Sequence, residues 1–149
     1  MKHFPDLPPV WTLGAFLFSW LFSAVLPVAA LPSFGLQLLG MFWILLAVLL
    51  VLWSALYFRK NKTTIEPHSK PTALIVKGPY RFTRNPIYLA MVVASAGFAM
   101  CCAALSAIIP VIGLAIVLHR RFVIPEEEGL RAAFGAEADS YISKTKRWV

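Results

Sequence analysis

Charge is the scarcest property of this chain. Only 14% of its 149 residues are Asp, Glu, Lys or Arg, against 59% hydrophobic, and the mean hydropathy is +0.72. A water-soluble domain carries about 25% charged residues to solvate its surface, so the composition excludes one and describes an integral membrane protein.

Acidic residues are fewer still, seven against fourteen Lys and Arg. In a soluble chain that imbalance would suggest nucleic acid, but here position explains it. Seven basic residues (Arg59, Lys60, Lys62, Lys70, Lys77, Arg81, Arg84) lie in one central loop, and six more (Arg120, Arg121, Arg131, Lys144, Lys146, Arg147) follow the last apolar run. The positive-inside rule expects that clustering, so no nucleic-acid partner is expected. The only cysteines, Cys101 and Cys102, are adjacent in an apolar segment. They lack metal-ligand spacing and read as small packed side chains, so no metal site is expected. Internal repeats and low-complexity segments are missing. No ionisable residue falls at mid-depth of a predicted span, which argues against a transport pathway.

What the chain has is long uncharged runs. Val10 to Leu31 gives 22 residues without charge, and a helix of that length reaches about 33 Å, enough to cross the hydrocarbon core. Pro27 is expected to kink it or end it early. The run is too long, and its basic flank too weak, for a cleaved signal peptide. A turn, LPSFG, leads into a second run, Leu36 to Phe58, closed by Trp53 and Tyr57 as interface aromatics and then by Arg59 and Lys60. Residues 59 to 85 form a polar, basic loop in which Pro67, Pro71, Gly78 and Pro79 preclude a long helix. Pro86 to Leu118 is uncharged for 33 residues. That predicts two short spans joined near Cys101 to Ser106. Beyond His119, Leu130, Ala133, Phe134 and Tyr141 recur at rough helical spacing, which predicts an interfacial amphipathic helix.

The expected fold is therefore an all-α polytopic transmembrane bundle of about four spans with a C-terminal amphipathic cytoplasmic helix. Four spans put both termini and the central loop on one side, the cytoplasmic side of what we expect to be a bacterial inner membrane. Residues 1–58 read as a scaffold hairpin, with little polarity beyond Thr12, Ser19, Ser23, Gln37 and Ser54, and residues 59–149 carry the chemistry.

That chemistry concentrates in two stretches. In GPYRFTRNPIYLA, residues 78 to 90, Asn85 is expected to cap a helix whose first position is Pro86. The positive helix end beside Arg81 and Arg84 would also suit an anionic group such as a carboxylate. In PEEEGL, Glu126, Glu127 and Glu128 suit the first turn of a solvated helix. If the third and fourth spans are antiparallel neighbours, these carboxylates meet the Asn85 helix start at one rim. Mixed charges at a membrane-surface pocket suit a small zwitterion, of which S-adenosylmethionine is one.

GPYRFTRNPIYL, then RRFVIPEEEGLRAAFG, then a closing Tyr and Arg-Trp resemble the isoprenylcysteine carboxyl methyltransferase and phospholipid methyltransferase family of membrane enzymes. The resemblance covers about residues 72 to 149. It implies a methyltransferase using S-adenosylmethionine as cofactor on a lipophilic acceptor that enters from the bilayer among the membrane lipids. Cofactor-binding positions implied by it are Leu74, Ile75, Tyr80, Asn85, Pro86 and Tyr88, together with Glu126 and Glu127, the register among Glu126 to Glu128 being open by one position. Arg121 matches the arginine assigned to the acceptor's side and is the candidate catalytic residue. Asn85 stands where prenylcysteine enzymes carry His, and Ala138 where relatives carry an aromatic. The acceptor is left open between a prenylcysteine-like carboxylate and a phosphatidylethanolamine-type amine. A lipid-binding scaffold without activity is the competing reading from another class.

Overall fold

The computed structural model describes residues 6–30, 34–60 and 73–149. It is built from helices and short helical turns. α1 (Pro8–Val25) opens with prolines in its first turn, where a missing N–H costs nothing. It stops two residues before Pro27, well short of Leu31, since proline disfavours helical backbone just ahead of it. The LPSFG turn lies largely outside the described residues. α2 (Phe34–Lys60) is 27 residues long, about 40 Å, and ends in Arg59 and Lys60 as expected. The central loop is described only from residue 73 onward, where Gly78–Arg81 makes a 3-10 turn.

The long uncharged run divides as predicted. α3 (Pro86–Cys101) ends at a break where Ala103 takes a left-handed φ of 53°, and a 3-10 turn at Leu105–Ile108 starts the next column. α4 (Ile109–Leu118) then continues without interruption through a π-helical turn at His119–Val123 into α5 (Ile124–Phe134). α1, α2 and the Leu105–Phe134 column are each long and apolar enough to cross a membrane, with α3 as a shorter apolar helix beside them. The uncharged part of the column ends at Leu118, so its charged continuation belongs to the rim. The C-terminal segment departs from the single amphipathic helix expected. It is α5 and α6 (Ala136–Lys144), separated by Gly135 at φ 49°, a conformation favourable to glycine alone among common residues.

α2 lies against α3 along a seam of small residues. Gly40, Ala47 and Ser54, buried at seven-residue intervals on α2, face a partner helix that buries Ala90 and Gly97. A β-carbon on Gly40 would sit 2.4 Å from the Gly97 carbonyl oxygen, and one on Gly97 2.6 Å from the Gly40 carbonyl oxygen. Side chains small enough for backbones to touch are how helices associate in lipid, where burial of apolar surface gives no net drive. α1 packs across α3 and α4, closing a core of Ala15, Tyr88, Leu114, Leu118, Phe122 and Val123. Large apolar side chains such as Leu17, Trp20, Phe42 and Leu49 stay exposed on the outer faces of α1 and α2, as a lipid-facing surface requires.

Candidate functional site

The polar residues meet where α2 ends, α3 begins and the long column loses its apolar character. Gly78 starts the approach with a φ of 65°, and a β-carbon there would fall 2.4 Å from the Tyr57 ring. Glycine is therefore required both by conformation and by space. Tyr80 is buried, edge-on to Phe58 with ring centres 5.6 Å apart, and its carbonyl accepts the Tyr141 hydroxyl at 2.7 Å. Leu74 is half-buried and Ile75 buried in the irregular segment leading to that turn.

Glu127 is the centre of the arrangement. Its buried carboxylate receives Arg84 Nη2 at 3.0 Å and a bidentate pair from Arg147, Nε at 2.9 Å and Nη2 at 2.8 Å. Burial alone would raise its pKa, but the hydrogen bonds of Arg147 and the charges of Arg84, Arg147 and Arg131 outweigh it and hold the carboxyl below the usual range. Arg147 also ties the chain end to the start of α3. Its carbonyl accepts Thr83 Oγ1 at 3.2 Å and Asn85 Nδ2 at 2.9 Å, and the neighbouring Lys146 carbonyl accepts the Arg84 backbone N–H at 2.9 Å. Arg84 Nη1 donates to the Ile142 carbonyl at 2.5 Å. The last residues thus form a strap over the Asn85–Pro86 step.

This corrects the expectation for Asn85. Its side chain does not cap α3; the amide is directed to the Arg147 carbonyl, and α3 begins with no side-chain cap. A sequence-local capping rule lost to a partner 62 residues away.

Glu126, one residue earlier, has the opposite surroundings. It is half-buried, accepts a short hydrogen bond from the Tyr88 hydroxyl, and has no cation within ion-pairing distance among the described residues. Loss of solvent raises its carboxyl to about 7, with the Tyr88 hydrogen bond pulling the other way. Tyr88 is itself buried against Phe122, ring centres 6.1 Å apart, in the aromatic end of the core, where Trp11 and Trp148 also pack. Glu128 is exposed. Two buried side-chain nitrogens in this region have no hydrogen-bond partner among the described residues: Arg84 Nε, on a side chain only 8% exposed, and His119 Nδ1.

Of the residues singled out in the sequence, the structure joins Tyr88 to Glu126 and links Asn85, through Arg147, to Glu127. Pro86 is fully buried at the head of α3. Arg121 lies apart from the Glu127 cluster, paired with Asp6 at 3.0 Å. Thr83 and Arg147 were missed; the closing Arg-Trp was the one signal pointing to the second. Cys101 and Cys102 are free and half-buried, and no group of metal-ligating side chains occurs among the described residues.

Comparison with known proteins agrees with this architecture. No curated protein and no solved structure matches the chain. Residues 36–137, spanning α2 to the first residues of α6 and including Tyr88, Glu126 and Glu127, match the model of the phospholipid methyltransferase family. By that match over more than half its length, the chain belongs to the phospholipid methyltransferase family.

Proposed function

We propose that this protein transfers a methyl group from S-adenosylmethionine to a lipophilic acceptor at the basic rim of the bundle, and that the acceptor is a phospholipid-type amine. The observation that carries the proposal is the pairing of two unspent groups, Arg84 Nε and the Glu126 carboxylate, around one helix start. An orphaned buried donor calls for an anion and a carboxylate without a cation calls for a cation. An amino acid head group supplies both, so the residues present fit the cofactor.

When bound, the cofactor supplies an electrophilic methyl group on a sulfonium and leaves as the neutral thioether S-adenosylhomocysteine, while the acceptor amine reacts as its free base, having given its ammonium proton to solvent at the rim. The protein's own work is then positioning and electrostatics. Arg84 Nε donates to the ligand's carboxylate, and Glu126 holds its ammonium, oriented by Tyr88. The apolar faces of Tyr88 and Phe122 keep water from the reacting atoms. Leu74 and Ile75 offer an apolar edge for a flat base. Glu127 and Arg147 hold the strap rather than the ligand, which assigns ligand contact to Glu126 within the run of three glutamates.

The family match favours an amine over a prenylcysteine-like carboxylate as acceptor, since the matched family is the phospholipid methyltransferase one. An apolar cavity of about 190 Å³ between α1, α2 and α3, lined by Thr12, Ala47, Val51, Ala90, Met91 and Ala94, supports entry of an acyl chain from the bilayer. With this topology we place the basic rim, and both termini, in the cytoplasm.

Calorimetric titration of the purified protein with S-adenosylhomocysteine tests the site. Saturable binding is expected in the wild type and its loss in Glu126→Ala, with the protein still folded. Equal binding in both would remove Glu126 from the site, and no binding by a folded wild type would remove the methyltransferase reading.

A further inference from the structure

The start of α1 lies outside the residues that match the family model, yet it holds a residue of the long column. Arg121 leaves the π-turn with its Nη2 3.0 Å from Asp6 Oδ2 and its guanidinium carbon 5.6 Å from the centre of the Trp11 ring. Trp11 Nε1 donates to the other Asp6 oxygen at 3.0 Å. The three side chains form a closed ring of contacts, with Asp6 bridging the two others. Trp11 in turn packs on the cluster that contains Tyr88 and Phe122, so the ring is tied to the proposed reaction site.

Stability does not account for this arrangement. The Arg121 side chain is 53% exposed, and solvated ion pairs contribute little to folding. What the ring does accomplish is geometric. The tryptophan face sets the plane of the guanidinium and the aspartate sets its rotation within that plane, which leaves further N–H donors of a rigid fork directed away from Asp6. Such a fork matches two oxygens of a phosphate. It stands at the rim, where lipid head groups lie, so a head-group phosphodiester can meet it while Glu126 keeps the cofactor's ammonium.

We propose that Asp6 and Trp11 position Arg121 to bind the phosphodiester of the acceptor lipid, which makes the start of α1 a specificity-determining part of the site. This rests on the amine-lipid acceptor proposed above. Asp6 and Trp11 are positioning residues, and Arg121 alone touches the acceptor.

The test is steady-state methyl transfer by the full-length protein in mixed micelles, from S-adenosylmethionine to dispersed phosphatidylethanolamine. Asp6→Asn is expected to raise KM for the lipid about threefold to fivefold, the factor an exposed ion pair represents, with kcat and KM for the cofactor unchanged. Asp6→Glu restores most of the loss, and Trp11→Leu reproduces it while Trp11→Phe does so less. Arg121→Ala has the larger effect in the same direction. A short-chain phosphatidylglycerol, which has the phosphodiester but no amine, competes with the acceptor in the wild type and less well in Asp6→Asn. If KM rises in Arg121→Ala but not in Asp6→Asn, the positioning role is overturned and the acceptor contact stands. A KM that falls in Asp6→Asn overturns it too, because Asp6 is then a competitor for the arginine. An unchanged KM in Arg121→Ala overturns the inference at its base. A wild type that binds cofactor but does not methylate phosphatidylethanolamine sinks the acceptor reading and this inference together, whereas one that binds no cofactor sinks the methyltransferase reading itself.

Discussion

The two ends of the bundle solve the same problem with different chemistry. At the uncharged end, where the chain turns after α1 and again after α3, the linking contacts among the described residues are neutral. The Leu105 N–H reaches the Val28 carbonyl at 3.0 Å, Ser106 Oγ reaches the Leu26 and Phe22 carbonyls at 2.5 and 3.2 Å, and Ser19 Oγ reaches the Ala107 carbonyl at 2.8 Å. Where helices break near hydrocarbon, freed backbone groups need partners from within the protein, and short hydroxyls supply them. At the basic end the links are ionic, through Glu127, Arg84 and Arg147. Among the described residues the hydroxyls that make these links are matched, whereas the basic end keeps an arginine nitrogen without a partner and a carboxylate without a cation. Closure alone needs only the first kind of chemistry; binding needs the second.

The strongest way to break that contrast is at Glu127. Glu127→Gln leaves two guanidinium groups without their shared charge, and truncating one side of a buried pair typically costs about 3 kcal/mol or more. We expect a large drop in thermal stability in detergent and loss of S-adenosylhomocysteine binding, measured side by side. Arg147→Lys should keep part of both, since it retains the charge but not the bidentate geometry.

Acidity separates the two glutamates next. Glu126 must be ionised to hold a cation, so with its carboxyl raised to about 7 the affinity for S-adenosylhomocysteine should fall on acidification below neutrality, by up to about tenfold per pH unit, and Glu126→Gln should abolish that slope. For stability the sign is reversed. A raised carboxyl favours the folded state at low pH, and that contribution is lost as pH rises through about 7. Glu127, lowered, contributes stability at neutral pH that disappears as pH falls through its folded value.

A smaller effect is expected in the seam. Gly97→Ala forces a methyl group against the Gly40 backbone, for which about 1–3 kcal/mol of overpacking is the usual scale. The readout is a lower unfolding temperature with cofactor affinity in the remaining folded protein close to wild type. Smallest of all, Ser106→Ala at the uncharged end removes hydroxyl links worth about 1 kcal/mol. It should leave binding untouched, and a loss of binding there would erase the distinction between the two ends.

How much of this was legible beforehand depended on how far apart the partners lie. Uncharged run lengths and the prolines are local signals, and they placed α2 and the break near Ala103. Pro27 ended α1 as expected. That the glutamates meet the helix start at Asn85 followed from antiparallel packing of neighbouring spans, whereas the particular contact of Glu126 with Tyr88 did not. The Asn85 cap was misjudged because a carbonyl from Arg147 outcompeted the local backbone, and nothing near Asn85 in the chain announces it. The helical character of the C-terminal segment was legible, whereas its division at Gly135 was not, since a lone glycine inside a helical pattern is often tolerated. The seven-residue recurrence of Gly40, Ala47 and Ser54 is a helix-seam signal, but in a run so apolar it does not stand out from plain scaffold.

The π-turn at His119–Val123 has one more consequence. It holds one residue more than an α-helical turn over the same path, so the extra residue is absorbed locally and α5 leaves the turn facing as it would from an uninterrupted helix one residue shorter. A single deletion within His119–Val123 that closes the turn to α geometry would therefore keep Glu126 against Tyr88 and Glu127 against Arg84 and Arg147. The same deletion within α4, with the π-turn kept, would rotate α5 by about 100° and part them.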